Sequence, residues 1–413
     1  MVTIQPVSRA LVPRDTDAAN RLTAPNYDEF QSDREVWELL QKRPECVLRI
    51  TMAHCHVPEI AGILPDGGPQ ALEHSVSEMQ ALQNGPLVQS LNDILWVYEV
   101  VSPRRPDIRQ IGLGGFGRTA EIRTEQQPNG TIIRNEGIHP DKAEGRARLI
   151  RATRAYIGTV NCAVRDESGR FVTALDTIAD ARPCDYEAID EAGNRHRTWL
   201  VTDATQIAEL QALLANEPAA YVADGNHRSA AAAALGEEHF LAVFFPTGRM
   251  HLEPYNRLLP SLGQSPESLL SKLAVNFEIE ALGPIPEFRP EQIHEIGLYL
   301  AGEWHLLRPW PGTFDPESAA DSIDAAIVHK HIVQGVLGVS DARDKRLNYV
   351  GGNKDSRYLK SRVDAGDYAL ALSLAPVTME QFGDVCEQNQ FMPPKSTWFD
   401  PKIRSGMVMA LLE

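Results

Sequence analysis

No Cys-x-x-Cys pair occurs anywhere in the 413-residue chain, and its five cysteines (Cys46, Cys55, Cys162, Cys184, Cys386) are odd in number and widely scattered. This argues against a disulfide framework or a zinc ribbon and reads as a reduced, cytoplasmic protein. No apolar run approaches the roughly 18 residues of a membrane span, and the stretch from Met1 to Asp15 lacks the apolar core of a signal peptide. Positive charge is scarce too: 40 Lys and Arg stand against 56 Asp and Glu, a formal net charge of -16. Nucleic-acid binders displace counterions with a basic surface, so neither nucleic acid nor an anionic membrane is an expected partner. An acidic chain that handles an anion must concentrate its positive charge locally, which makes clustered Arg and Lys informative. Internal repeats, low-complexity blocks and a G-x-S-x-G nucleophile elbow are all missing from the sequence.

What is present is an ordinary globular composition, 43% hydrophobic and 23% charged, with helical and strand-like segments alternating. Ser32 and Glu35 form an S-x-x-E box ahead of Val36, Trp37, Leu39 and Leu40, so a helix is expected there. Asp203 is expected to cap a helix through Leu214, and Thr378 one through Asn389. Further helices are expected over Asp141–Tyr156, which is basic, and Asp321–Leu337. Strands are expected over Leu48–Ala53, Leu95–Val101, Ala219–Ala223, Phe240–Phe245 and Asp367–Leu374, with an apolar strand closing the Met392–Leu412 tail. Asn129-Gly130 signals a hairpin, as does Ala301-Gly302-Glu303 within Leu298–Pro309. The class is α+β with mixed sheets. A soft boundary near Pro246–Pro260 divides residues 1–250 from 251–413, and the Pro/Gly-rich Pro309–Pro316 marks a second.

The most informative segment runs from Tyr221 to Leu235. An apolar strand leads into Ala223-Asp224-Gly225-Asn226-His227-Arg228, and an alanine run follows. Alanine is the strongest helix former, so a helix begins close to Asn226. Gly225 permits the sharp turn. The free N–H groups of the first helical turn, with the positive end of the helix dipole, make an anion site. Arg228 in that turn could close on a phosphate. Asp224 at the strand end would bind a metal or accept a proton, and His227 could donate to a phosphate oxygen. The blander alternative makes Asp224 or Asn226 a simple N-cap and leaves His227 and Arg228 on the surface.

Two other patterns carry less. Gly112-Leu113-Gly114-Gly115-Phe116-Gly117 satisfies G-x-G-x-x-G, but its lead-in is charged and broken by proline and its follow-on Thr119–Thr124 alternates like a strand. A glycine-rich turn between strands is the better reading than a dinucleotide loop. His54-Cys55-His56 would turn both imidazoles to one side if it continues a strand, but no third metal ligand stands out in the sequence. No cysteine lies near Asn226, which argues against thiol chemistry in the loop.

The central motif resembles the Asp-Gly-His-His-Arg element of the DUF1015 family, and other segments match that family in order. Ala24-Pro25-Asn26-Tyr27-Asp28 is similar to its Pro-Pro-Tyr-Asp. Ile133-Arg134-Asn135-Glu136 followed by Asp141–Arg146 is similar to its Arg-His-Glu element and basic helix. Met392-Pro393-Pro394-Lys395-Ser396-Thr397-Trp398-Phe399, with Pro401-Lys402 and Ser405-Gly406, is similar to its closing signature. Two positions depart: Asn226 and Asn135 stand where the family has histidine. The resemblance implies a ParB/sulfiredoxin-like strand–turn–helix core, related to free serine kinases. It further implies a cytoplasmic enzyme moving a phosphoryl group from ATP, ADP or pyrophosphate, with Mg²⁺, to the hydroxyl of a free amino acid such as serine. In that reading Asp224, Glu136 and His227 are catalytic, and Asp224 and Glu136 bind the metal. Gly225, Asn226, Arg228, Arg134, Arg146, Lys395, Ser396 and Thr397 hold the phosphate or nucleotide. Partners are then the amino acid and the donor, with a second copy of the chain a further candidate. Alternative readings are a nucleotide- or phosphate-binding sensor without catalysis, and a diverged enzyme acting on another amino acid. Glu136 with Arg134 could also be a surface ion pair, Arg146 a solvated charge, and Met392–Lys402 a structural crossover.

Overall fold

A computed structural model describes residues 1–412 other than 31, 139, 261–262, 340–343, 345 and 353. The fold is α+β, and the chain divides into two units. The first comprises Met1–Arg134, Ile138–Met250 and Pro401–Glu413, the second Asn135–Gly137 and His251–Asp400.

The first unit is built on a nine-stranded mixed sheet. In spatial order its strands are Ile132–Arg134, Ala220–Asp224, Val160–Val164, His239–Pro246, Arg105–Arg118, Leu95–Ser102, Arg195–Val201 and Tyr186–Ile189, with Ile4–Gln5 also pairing Arg105–Arg118. Ala220–Asp224 runs parallel to Ile132–Arg134, and His239–Pro246 parallel to Val160–Val164; the other pairs are antiparallel. A second, four-stranded sheet joins Val88–Leu91, Ala10–Pro13, Met409–Leu411 and Ala155–Tyr156. It places residues from both ends of the sequence side by side.

The glycines of the G-x-G-x-x-G pattern lie inside the 14-residue strand Arg105–Arg118, not in a turn. None has a positive φ. They are there because they lack a Cβ: one on Gly114 would stand 1.9 Å from Cε2 of Trp96, and one on Gly117 2.8 Å from Phe240. Aromatic rings pack directly on the bare backbone. Thr119–Glu121 is a 3₁₀ turn rather than the start of a strand.

Three other expectations are corrected. Leu48–Thr51 is a short helix followed by a 3₁₀ turn over Ala53–Cys55, not a strand. A buried apolar run of that length carries no periodicity that separates the two. Asn129-Gly130 sits in a turn closed by Gly130 N–H to Gln127 O at 3.1 Å, but the bridge it leads to, Ile122 with Ile132, is parallel, so no hairpin forms. The basic helix spans Pro140–Thr153, and Ala155–Tyr156 is a strand. Locally encoded elements appear as expected. Ser32 caps Asp33–Lys42 and Asp203 caps Ala204–Leu214, each accepting a backbone N–H in the first turn.

The second unit holds a seven-stranded sheet ordered Phe277–Gly283, Glu303–Pro309, Ile296–Leu300, Leu370–Leu374, Leu252–Leu259 and Asn348–Gly351, with Thr397–Phe399 also on Leu252–Leu259. Ile296–Leu300 and Glu303–Pro309 form the expected hairpin. Ala301 and Gly302 both take positive φ, 50° and 89°, as a two-residue primed turn requires. Tyr299, Trp304, Leu258 and Leu359 are the centre of its core. Thr378 caps Met379–Glu387 through a full capping box. The helix expected over Asp321–Leu337 begins only at Asp324 and continues as a π-helix over Val328–Gln334.

Candidate functional site

In the first unit the strand Ala220–Asp224 turns at Gly225 into the helix Asn226–Ala234. Gly225 has φ 102°, the left-handed region that L side chains avoid, so glycine is required for the turn. The N-cap position is occupied by Gly225, with Asp224 before it and Asn226 as the first helical residue, so neither stands at the N-cap.

The carboxylate of Asp224 is approached by two cations, Arg228 Nη2 at 3.4 Å and Lys402 Nζ at 3.3 Å. Two cations are thus concentrated at one carboxylate in a chain whose total charge is -16. Arg228 is buried. Its Nη1 donates to Asn26 Oδ1 at 3.0 Å and to the carbonyl of Thr159. Asn26 Oδ1 also accepts from Ser405 Oγ at 2.8 Å, and Asn26 Nδ2 donates to the Ile403 carbonyl at 3.1 Å. Three sequence motifs, around Asn26, Asp224 and Ser405, thus meet at a single node. A Cβ on Gly158 would stand 3.3 Å from Ser405 Oγ and 3.4 Å from Arg228 Cδ, so Gly158 allows this close approach.

Beside the node lies a cavity of about 50 Å³, lined by Arg228, Arg146, Tyr27, Thr51, Gly158 and Ser405 among others. Arg146 comes from the helix Pro140–Thr153. Its guanidinium stacks on the Tyr27 ring, 3.1 Å from the centroid, and its Nη1 donates to the Thr51 carbonyl at 3.4 Å. It is a packed cation rather than a solvated one, held by the face of an aromatic ring. Arg134 ends the strand Ile132–Arg134, paired to Val222 on the strand that carries Asp224. Burial pushes its guanidinium below the usual arginine range, and among the described residues its Nε has no hydrogen-bond partner. Asn226 is buried, and His227 is half-buried in the first helical turn.

Glu136, Lys395, Ser396 and Thr397 belong to the second unit. The carbonyl of Asn135, next to Glu136, accepts from the Met392 N–H at 3.0 Å. Lys395 has φ 60°, and its Nζ lies 3.3 Å from Tyr255 OH. The Lys395 carbonyl accepts from Arg257 Nη2 at 3.2 Å, and Ser396 Oγ donates to the Pro393 carbonyl at 2.6 Å. Thr397 begins the strand pairing with Leu252–Leu259. Arg257 is fully buried, its guanidinium 4.6 Å from the Tyr349 ring centroid, and desolvation pushes it down to about 10. The sequence reading gave no role to Arg257, Tyr255 or Tyr349. A buried strand carrying Glu253, Asn256 and Arg257 was the available signal.

No curated protein matches the chain. Similar solved structures include a free serine kinase in complex with AMP, at 11% identity and a TM-score of 0.37, covering 65% of this chain and 83% of that one. A conserved hypothetical protein from Pyrococcus furiosus scores 0.37 at 11% identity over 67% and 90%. SbnI with a C-terminal truncation, from Staphylococcus aureus, scores 0.35 at 11% over 66% and 80%. Among the described residues no helix is long and apolar enough to cross a membrane. A family model described as a protein of unknown function, DUF1015, matches residues 4–334, and the chain belongs to that family.

Proposed function

We propose that the protein transfers a phosphoryl group from ATP, ADP or pyrophosphate to the hydroxyl of a free amino acid, with serine the leading acceptor. The observation that carries this reading is the node at the mouth of the helix Asn226–Ala234, where Arg228 and Lys402 flank Asp224. A helix N-terminus with cations beside it suits a phosphate. In the transfer, the bond from phosphorus to the departing oxygen breaks as the acceptor hydroxyl oxygen bonds to phosphorus, and the hydroxyl proton passes to a carboxylate. Asp224 is assigned that carboxylate role, with His227 and the Gly225–Arg228 turn orienting the phosphate. Arg146 and Arg134 add positive charge, and Glu136, Lys395, Ser396 and Thr397 are assigned their parts by the family resemblance. Mg²⁺ takes hard oxygen ligands, which Asp224 and Glu136 each offer, and when bound it neutralises charge on the donor phosphates.

The test is incubation with serine, Mg²⁺ and each donor, with mass spectrometry for a phosphorylated amino acid. Absence of product with every donor, in protein that binds nucleotide, sinks the transfer reading. It would leave the second reading, a nucleotide-binding sensor. That reading is favoured by Asn226 and Asn135, buried amides where the family motif carries titratable imidazoles.

A further inference from the structure

The turn Ala53–Cys55 brings together side chains that the strand reading kept apart. His54 and Cys55 are adjacent in sequence and both buried. On a 3₁₀ turn, unlike a strand, neighbours need not face opposite sides. Asp33, the first residue of the helix Asp33–Lys42, meets them from about twenty positions away. One ligand atom from each of Asp33, His54 and Cys55 lies within 4.8 Å of the others. His56, the partner expected from the sequence, turns elsewhere: its Nδ1 faces Glu78 Oε1 at 3.6 Å.

We infer that Asp33, His54 and Cys55 form a binding site for a divalent transition metal, zinc by its donor set, with Asp66 holding His54 from behind. Three observations support it. The first is spacing. Tetrahedral zinc, with bonds of roughly 2.0–2.3 Å, sets its ligand atoms about 3.3–3.7 Å apart. His54 Nε2 and Asp33 Oδ1 are 3.3 Å apart, the edge of such a tetrahedron. The second is the rear of the ring. His54 Nδ1 lies 3.4 Å from Asp66 Oδ1, an ion-pair contact and not a formed hydrogen bond, and close enough for that carboxylate to take up the ring N–H once Nε2 holds a metal. The third is the thiol. A histidine between two carboxylates would need no metal, but that alone would not account for a buried cysteine whose sulfur lies within 4.8 Å of both other ligand atoms.

The donor set of one sulfur, one nitrogen and one oxygen suits zinc rather than magnesium or calcium. Binding would displace the Cys55 thiol proton to solvent. The resulting thiolate and the Asp33 carboxylate then balance the charge of a divalent ion. Among the described residues no fourth protein ligand joins the group. Asp33 is exposed, and the proposed site takes water as its fourth ligand. The loop carrying Asp66 is tied in by Leu64 N–H to the His54 carbonyl at 3.0 Å and by Trp37 Nε1 to the Val57 carbonyl at 3.0 Å. Both ties would stand with or without the ion.

The experiment uses the full chain, stripped with a chelator and titrated with Co²⁺ and then Zn²⁺. One equivalent of Co²⁺ should bind with a thiolate-to-cobalt charge-transfer band in the near ultraviolet, and Zn²⁺ should bleach it. Cys55→Ser should abolish the band, while Cys184→Ser, at a half-buried cysteine elsewhere, should leave it intact. Asp66→Asn should weaken binding about 10- to 100-fold, as loss of such an outer carboxylate does. Cys55 is fully buried, so Asp33→Asn, at an exposed carboxylate, serves as the second variant. It should keep the circular dichroism of the parent and weaken Co²⁺ binding at least about 10-fold. A folded parent chain with no thiolate band, a band that survives Cys55→Ser, or unchanged affinity in Asp33→Asn would each overturn the site.

Discussion

Replacing Asn26 by alanine tests whether the node beside the Asp224 loop is a keystone of the first unit. Three of the amide's side-chain hydrogen bonds meet at the node: to the Ile403 carbonyl, from Arg228 Nη1 and from Ser405 Oγ. Two neutral bonds contribute about 0.5–1.5 kcal/mol each, and one to a charged group about 1.5–3 kcal/mol. The sum is on the order of 4 kcal/mol. Water in the adjacent cavity, lined by Arg228 and Ser405, can re-bond part of what is lost. That draws the expected loss down to about 3 kcal/mol. Urea unfolding followed by tryptophan fluorescence should show a lower midpoint with an unchanged slope. Ser405→Ala, which removes one neutral bond, should cost about 1 kcal/mol. The double variant should cost less than the sum, because both changes act on Asn26 Oδ1. A loss below about 0.5 kcal/mol in Asn26→Ala is what an exposed site gives, and it would refute the reasoning.

Asp224→Ala should lower turnover by about 10²- to 10⁴-fold, the range for losing a group that takes a proton, while donor binding measured by calorimetry persists. Gly114→Ala should destabilise the first unit by about 3 kcal/mol or more, because the new Cβ collides with the ring of Trp96, itself buried; a thermal melt matching the parent would contradict the packing. Burial pushes Asp324 up to about 7 from 3.8, with the His294 N–H bonds only partly offsetting desolvation. The folded state therefore holds a proton that the unfolded state has lost. Stability from this group is full below about pH 4 and falls as pH rises toward 7, by up to about 4 kcal/mol. Asp324→Asn should flatten that slope, so the variant gains on the parent at pH 8 relative to pH 5 in paired melting curves.

What the sequence disclosed follows the range of the interaction. Ser32, Asp203 and Thr378 cap helices through groups two or three residues away, so their signals are complete within a short window. The Ala301-Gly302 hairpin is equally local. The strand–turn–helix at Asp224–Arg228 was legible for the same reason: glycine and alanine dictate it. Its surroundings were not. Lys402 and Asn26 stood in recognised motifs, but their contacts with Asp224 and Arg228 depend on tertiary packing. The glycines of Arg105–Arg118 mislead in the opposite direction, because a missing Cβ serves a turn or a ring equally well. Leu48–Ala53 was misread as a strand, and with it the neighbourhood of His54 and Cys55.

The bonds that close the node have a time as well as a place. Arg228 lies 202 positions from Asn26, and Ser405 lies 379 positions from it. At roughly 5–20 residues per second of synthesis, Asn26 waits about 20–75 s for Ser405 to be made. Until then the Arg228 loop has only part of its setting. Lys402, whose Nζ lies 3.3 Å from the Asp224 carboxylate, arrives equally late. A nascent chain that has not reached Lys402 would carry the glycine turn and alanine helix without that cation. The node at this loop thereby closes only after the stretch from Lys402 to Ser405 has been made.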